Sequence, residues 1–170
     1  MGRRLLLQDD TFLQEIAWFP HTDKAGLSYW FLDPPILDVL ESGLDLDLAA
    51  FRLLADDGED LYLYFSMEPM SPMMPDELQA QVRALRQEMD TAWQPPEALA
   101  AAIEQVLDRI DTPQGFPETL VATIQALPIR TTISPKYYLE GVLAEELRDL
   151  RKMVQYAVLR GATRVRLLHR

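Results

Sequence analysis

Four methionines fall within eight residues, in the segment Met67-Glu68-Pro69-Met70-Ser71-Pro72-Met73-Met74. Thioethers are soft, unbranched and polarisable. Such a segment suits an adaptable apolar binding surface, or Cu(I) if other soft donors join it. No cysteine or histidine stands near it in sequence, so copper lacks co-ligands. The structural alternative is a loop whose methionines fold back over the core. Just upstream, Leu61-Tyr62-Leu63-Tyr64-Phe65 alternates. Period two puts Leu61, Leu63 and Phe65 on one face and the two tyrosines on the other. Met67, Met70, Met73, Met74, Tyr62 and Tyr64 therefore form the candidate partner-binding surface, unless helices cover both faces of that strand.

Charge supplies a second candidate. The net charge is −11, yet residues 128–170 hold 9 basic and 4 acidic side chains, whereas residues 1–127 hold 7 basic and 23 acidic. Arg160, Arg164 and Arg166 are the residues of that basic segment placed to take a phosphate or an acidic partner. The competing role is internal, with arginines serving helix carbonyl ends and the acidic body of the same chain. The overall acidity argues against nucleic acid as a ligand.

The remaining polar patterns are short. His21-Thr22-Asp23 pairs an imidazole with a carboxylate but shows no nucleophile, which suits a polar loop better than acid–base chemistry. The acidic run Asp56–Asp60 is too short for a twelve-residue calcium loop and reads as a hairpin turn around Gly58. Asp33, Asp45 and Asp47 lie near expected element ends and are the acids a metal-dependent carboxylate site would draw on. The seven glycines are too dispersed for a dinucleotide fingerprint, a Walker A loop or a nucleophile elbow. The absence of cysteine excludes disulfides, thiolate nucleophiles and cysteine-ligated metals. No cofactor or metal site is assigned.

These groups need a scaffold, and 170 residues with 48% hydrophobic and 25% charged side chains suit one globular domain. Leu27–Asp33 reads as a strand. Pro34 opens a helix capped by Asp33 and ended by Gly43. Leu44, Leu46 and Leu48 alternate with Asp45 and Asp47 as a strand does, and a hairpin over 51–67 follows. Helices open near Pro75, Pro96 and Pro117, with stripes such as Leu99, Ile103, Val106 and Ile110. Ile129–Ile133 reads as a strand. Ser134 and Pro135 start one long helix running to Gly161, with a stripe of Leu139, Leu143, Leu147, Leu150, Val154 and Val158. Glu145 with Arg148, and Asp149 with Lys152, are its expected ion pairs. Arg164–Leu167 alternates as a last strand, making a parallel crossover from 129–133.

The predicted fold is α+β: a small, mostly antiparallel sheet, helices mainly on one face, and a long C-terminal helix followed by a short strand. Residues 1–170 form a single domain with a hinge at 67–74. The predicted function is a non-catalytic protein-binding adaptor, chaperone or regulatory protein acting through the methionine and tyrosine surface. The alternative is an enzyme with a dispersed, metal-dependent carboxylate site, and the third reading is nucleic-acid or phosphate binding through the basic tail. The expected partner is another protein, with homodimerisation through the C-terminal helix. No run is long and apolar enough for a membrane span, and the location expected is cytoplasmic.

Overall fold

The structure, a computed structural model, describes residues 4–12, 27–28, 33–56, 73–128 and 134–169. Within them a four-stranded sheet is built from β1 (Arg4–Asp9), β2 (Leu27–Ser28), β3 (Leu54–Asp56) and β4 (Val165–His169), in the order β2-β1-β4-β3. β1 pairs antiparallel with β2 and β4, and only β3 runs parallel to β4. The sheet is thus mostly antiparallel, as its sequence implies. The one described parallel contact uses β3, and the 129–133 segment expected to supply it lies outside the described residues.

The helices are α1 (Pro34–Leu44), α2 (Ala49–Arg52), α3 (Asp76–Thr91), α4 (Pro96–Ile110), α5 (Glu118–Gln125), α6 (Pro135–Leu139) and α7 (Val142–Leu159). Prolines stand at the start of α1, α4 and α6, where a missing N–H removes no helical bond. Asp76 and Glu77 sit in the first turn of α3, at the positive end of its dipole. Asp33 and Ser134 occupy cap positions, but neither side chain makes a capping hydrogen bond.

The main core lies between the sheet and one layer of helices. Leu7, Val165 and Leu167 from the sheet join Ile36, Leu40, Leu99, Ile103, Val106, Leu147, Leu150 and Val154 in one buried cluster. Burial of each such side chain contributes roughly 1.5–3 kcal/mol. Successive strand residues face opposite ways, so Arg166 and Leu168 emerge on the other side of β4. There α3 lies close to β3, and buries Val82 and Met89 outside the main cluster. Helices therefore pack mainly, but not wholly, on one face, and β4 is buried on both.

Three local expectations change. Residues 44–48 are not a strand. Leu44 closes α1, Asp45 turns left-handed at φ 53° and Leu48 precedes α2. Leu44 and Leu48 are still buried, because a tight turn brings leucines four apart onto the core as well as alternation would. Gly43 does not end α1; it lies inside the helix, where an added Cβ would run into the Leu120 side chain of α5. Its small size permits the close approach of α1 and α5.

The C-terminal helix is also two helices rather than one. Gly141, at φ 80°, separates α6 from α7. The break rotates Leu139 out to 48% exposure and brings Tyr137 and Tyr138 inside. The buried stripe of α7 is Leu143, Ala144, Leu147, Leu150, Val154 and Ala157, while Val158 faces solvent. Asp149 and Lys152 pair at 3.4 Å as expected. Arg148 turns instead to Asp111 beyond the end of α4, at 2.7 Å.

Nothing lies within 4 Å of a Cβ built on Gly141, so Gly141→Ala tests backbone strain alone. We expect a loss of about 1 kcal/mol, the left-handed penalty less the reduced entropy of the unfolded chain. Urea denaturation should show a lower midpoint at unchanged slope. An unchanged or higher midpoint would contradict the break at this position.

Candidate functional site

The most connected polar site in the described residues gathers around Trp93, in the turn between α3 and α4. Gln94 pairs with Val165 of β4 through both backbone groups, at 2.9 and 2.8 Å. That bridge sets Trp93 beneath the two arginines flanking Val165. The Arg164 guanidinium lies 4.7 Å and the Arg166 guanidinium 4.3 Å from the indole centroid. Both distances are within cation–π range.

Arg166 is buried, at 5% exposure. Its Nε donates to Gln8 Oε1 at 2.7 Å and its Nη1 to the Met89 carbonyl at 3.1 Å. Gln8 is its register partner on β1, so strand pairing supplies the acceptor. Met89 lies in the last turn of α3, where its carbonyl also accepts the Ala92 N–H at 3.2 Å and the negative end of the dipole favours a cation. Asp90 adds a carboxylate at 3.9 Å.

Arg160 is similarly engaged. It reaches both oxygens of Asp9, at 3.3 and 3.2 Å, and the Thr11 hydroxyl. Asp9 is 1% exposed and also accepts the Thr11 N–H at 2.9 Å. The neighbouring Asp10 accepts the Thr163 N–H at 2.9 Å and the Thr163 hydroxyl. Partial desolvation pushes the Asp10 carboxyl up, but the bonds from Thr163 and the Arg164 N–H outweigh it and hold the group below its ordinary value. These contacts lock the end of β1 to the turn entering β4. Of the three arginines considered for phosphate, Arg166 and Arg160 thus serve internal acids and carbonyls, and Arg164 alone is exposed.

Beside Trp93, α2 and α4 leave a groove of about 460 Å³, within the size range of small-ligand pockets. Ala49, Ala50, Ala98, Ala101 and Ala102 keep it open because their side chains are too short to fill it. Gln94 also lines it. Its Nε2 donates to the Ala50 carbonyl at 2.9 Å, and its buried Oε1 has no hydrogen-bond partner. At the α1–α2 corner, Arg52 joins Asp38 at 2.6 Å and Glu41 at 2.7 Å. The hydrogen bond from Arg52 holds the Glu41 carboxyl below its ordinary value against partial desolvation, helped by the Leu48 N–H.

The acids named for a metal site are not brought together. Asp33 precedes α1 and Asp45 follows it, so the eleven-residue helix separates them by about 16 Å. Asp47 is used locally, accepting the Ala49 N–H at 3.0 Å. Among the described residues, no three carboxylates or histidines converge to hold a metal ion.

Met73 lies in the turn before α3 and is 91% exposed. Met74 is half-buried, and its carbonyl accepts Gln79 Nε2 at 2.8 Å, which fixes the entry to α3. Met67, Met70, Tyr62 and Tyr64 lie outside the described residues, as do His21, Asp23 and residues 57–60. Tyr137 and Tyr138, two of the aromatics that crowd the sequence, are buried, with Tyr138 packed 4.8 Å from Phe116. Burial and the charge of Asp33 push the Tyr138 hydroxyl far up from its ordinary value. No described helix is long and apolar enough to cross a membrane.

The fold and its polar framework define an α+β protein. Compared with protein-family models, curated proteins and solved structures, the chain matches none of them.

The two arginines over Trp93 separate cleanly by substitution. Arg166→Ala leaves Gln8 Oε1 without its donor, at about 1–3 kcal/mol, and removes the charged bond to the Met89 carbonyl, at about 1.5–3 kcal/mol, so equilibrium urea unfolding should show a loss of several kcal/mol. Arg164→Ala removes one exposed cation–π contact and should cost roughly 0.5–1 kcal/mol. Equal losses from the two would contradict the internal role of Arg166.

Proposed function

We propose that this protein is a non-catalytic protein-binding module, an adaptor, chaperone or regulator whose docking surface centres on the methionine segment and the tyrosine strand. The observation that carries the reading is Met73: a long apolar side chain 91% exposed on the shoulder of α3, with Met74 half-buried beside it. A flexible thioether in that position gives a partner adaptable apolar contact. The scattering of Asp33, Asp45 and Asp47 adds no support to carboxylate chemistry, and the internal engagement of Arg160 and Arg166 adds none to phosphate binding.

A second reading draws on the alanine-lined groove. A small apolar ligand would match its short-sided walls.

The proposed surface is tested by affinity capture from the native cell extract with wild-type protein and with Met73→Ser and Met70→Ser/Met73→Ser/Met74→Ser variants. Wild type should retain a discrete partner in stoichiometric amount, with Met73→Ser retaining it about tenfold less, a change of roughly 1.4 kcal/mol. A partner held equally by all three proteins, or none held by wild type, would overturn the reading.

A further inference from the structure

The outer face of α7 holds the Asp149–Lys152 pair and Tyr156, whose ring lies 5.3 Å below the Arg160 guanidinium, in an order that is symmetric when reversed. The inward residues of this eighteen-residue helix are Leu143, Ala144, Leu147, Leu150, Val154 and Ala157. On the opposite side, Val142, Glu145, Asp149, Lys152, Tyr156 and Leu159 are all exposed, with Leu159 at 85%. Their spacings alternate three and four residues, the a/d spacing of a helix that pairs along a seam.

The order of chemical types along this seam is self-complementary when reversed. About a two-fold axis between positions 150 and 151, Val142 falls opposite Leu159, Glu145 opposite Tyr156, and Asp149 opposite Lys152. Apolar meets apolar at both ends and acid meets base at the centre, with Glu145 and Tyr156 between them. An antiparallel pair sets an a position against a partner's d position, which this register obeys at all three levels. A parallel pair would instead set Asp149 on Asp149 and Lys152 on Lys152, a like-charge arrangement that opposes association.

We infer that α7 is a homodimer interface, formed by antiparallel packing of this outer seam against the same seam of a second copy. The interface is isologous, because each residue and its opposite exchange places under the two-fold axis. At the centre, the Asp149–Lys152 pair of one copy, 3.4 Å apart and mostly exposed, lies against the partner's pair, so four alternating charges meet. Val142 and the partner's Leu159 close each end. A single pair of helices about 27 Å long buries less than a standard protein interface, so the dimer belongs to the transient, concentration-dependent class. It does not rest on the methionine surface and stands or falls separately from it.

Two experiments test the register. Sedimentation velocity over a concentration series should show wild type passing from monomer to dimer. Asp149→Lys and Lys152→Asp each place like charges across the centre and should raise the dissociation constant by about tenfold or more. The double variant D149K/K152D restores the alternation and should return close to wild type. Circular dichroism of each variant checks that these exposed substitutions leave the fold intact. The absence of native cysteine permits the second experiment. Under mild oxidation, V142C and L159C chains mixed together should form a disulfide-linked heterodimer, while neither alone forms a homodimer. A wild type monomeric at the highest concentration reached, a dimer indifferent to all three charge variants, a double variant no tighter than the singles, or homodimer crosslinking through V142C would each overturn the inference.

Discussion

A guanidinium lies inside this protein, and its removal from water must be offset locally. Arg166 projects from a strand buried on both faces, and a charge in that setting survives only with fixed acceptors around it. β1 supplies Gln8 Oε1, the carbonyl end of α3 supplies Met89, and the α3–α4 turn supplies the face of Trp93. These acceptors come from two parts of the chain far apart in sequence, Gln8 on β1 and the stretch from Met89 to Trp93. Satisfying one side chain therefore fixes the register of β1 on β4, the seating of α3 over the sheet and the path into α4. The paired backbone bonds between Gln94 and Val165 are the same constraint in main-chain form.

A second polar lock operates at the same end of the β1–β4 ladder, one pair beyond Gln8 and Arg166. Buried Asp9 takes Arg160, and Asp10 takes Thr163, so the acidic end of β1 holds the turn that delivers the chain from α7 into β4. The basic tail and the acidic body are thus complementary within one molecule, despite a net charge of −11. This arrangement leaves the outer seam of α7 and the shoulder at Met73 exposed.

Sequence patterns revealed most of the helices, because each is set by local rules. Pro75, Pro96 and Pro117 mark three helix starts, and the stripe Leu99, Ile103, Val106 and Ile110 is buried as its period requires. The failures have physical causes. Leu44, Leu46 and Leu48 satisfy period two, but the same leucines satisfy a helix end followed by a left-handed turn, and sequence does not separate the two. The break at Gly141 follows from one backbone angle inside an otherwise helical pattern. Arg164–Leu167 looks half-buried by alternation, yet α3 covers its polar face. The Trp93 site joins residues more than seventy positions apart, so only its ingredients were legible. Arg166 and Trp93 were visible as an arginine and an aromatic, whereas Gln94 carried no signal. Ala98, Ala101 and Ala102 line the groove, and no sequence pattern singled them out for it.

If the Arg166 cluster holds the sheet and α3 together as one unit, its backbone bonds open only when the whole molecule opens. Native-state hydrogen exchange over a denaturant series measures this at the amides of Gln94 and Val165, compared with Leu147 in the helical core. All three should exchange with the free energy and denaturant dependence of global unfolding. Exchange of Gln94 and Val165 through a cheaper, denaturant-independent opening while Leu147 stays protected would contradict it.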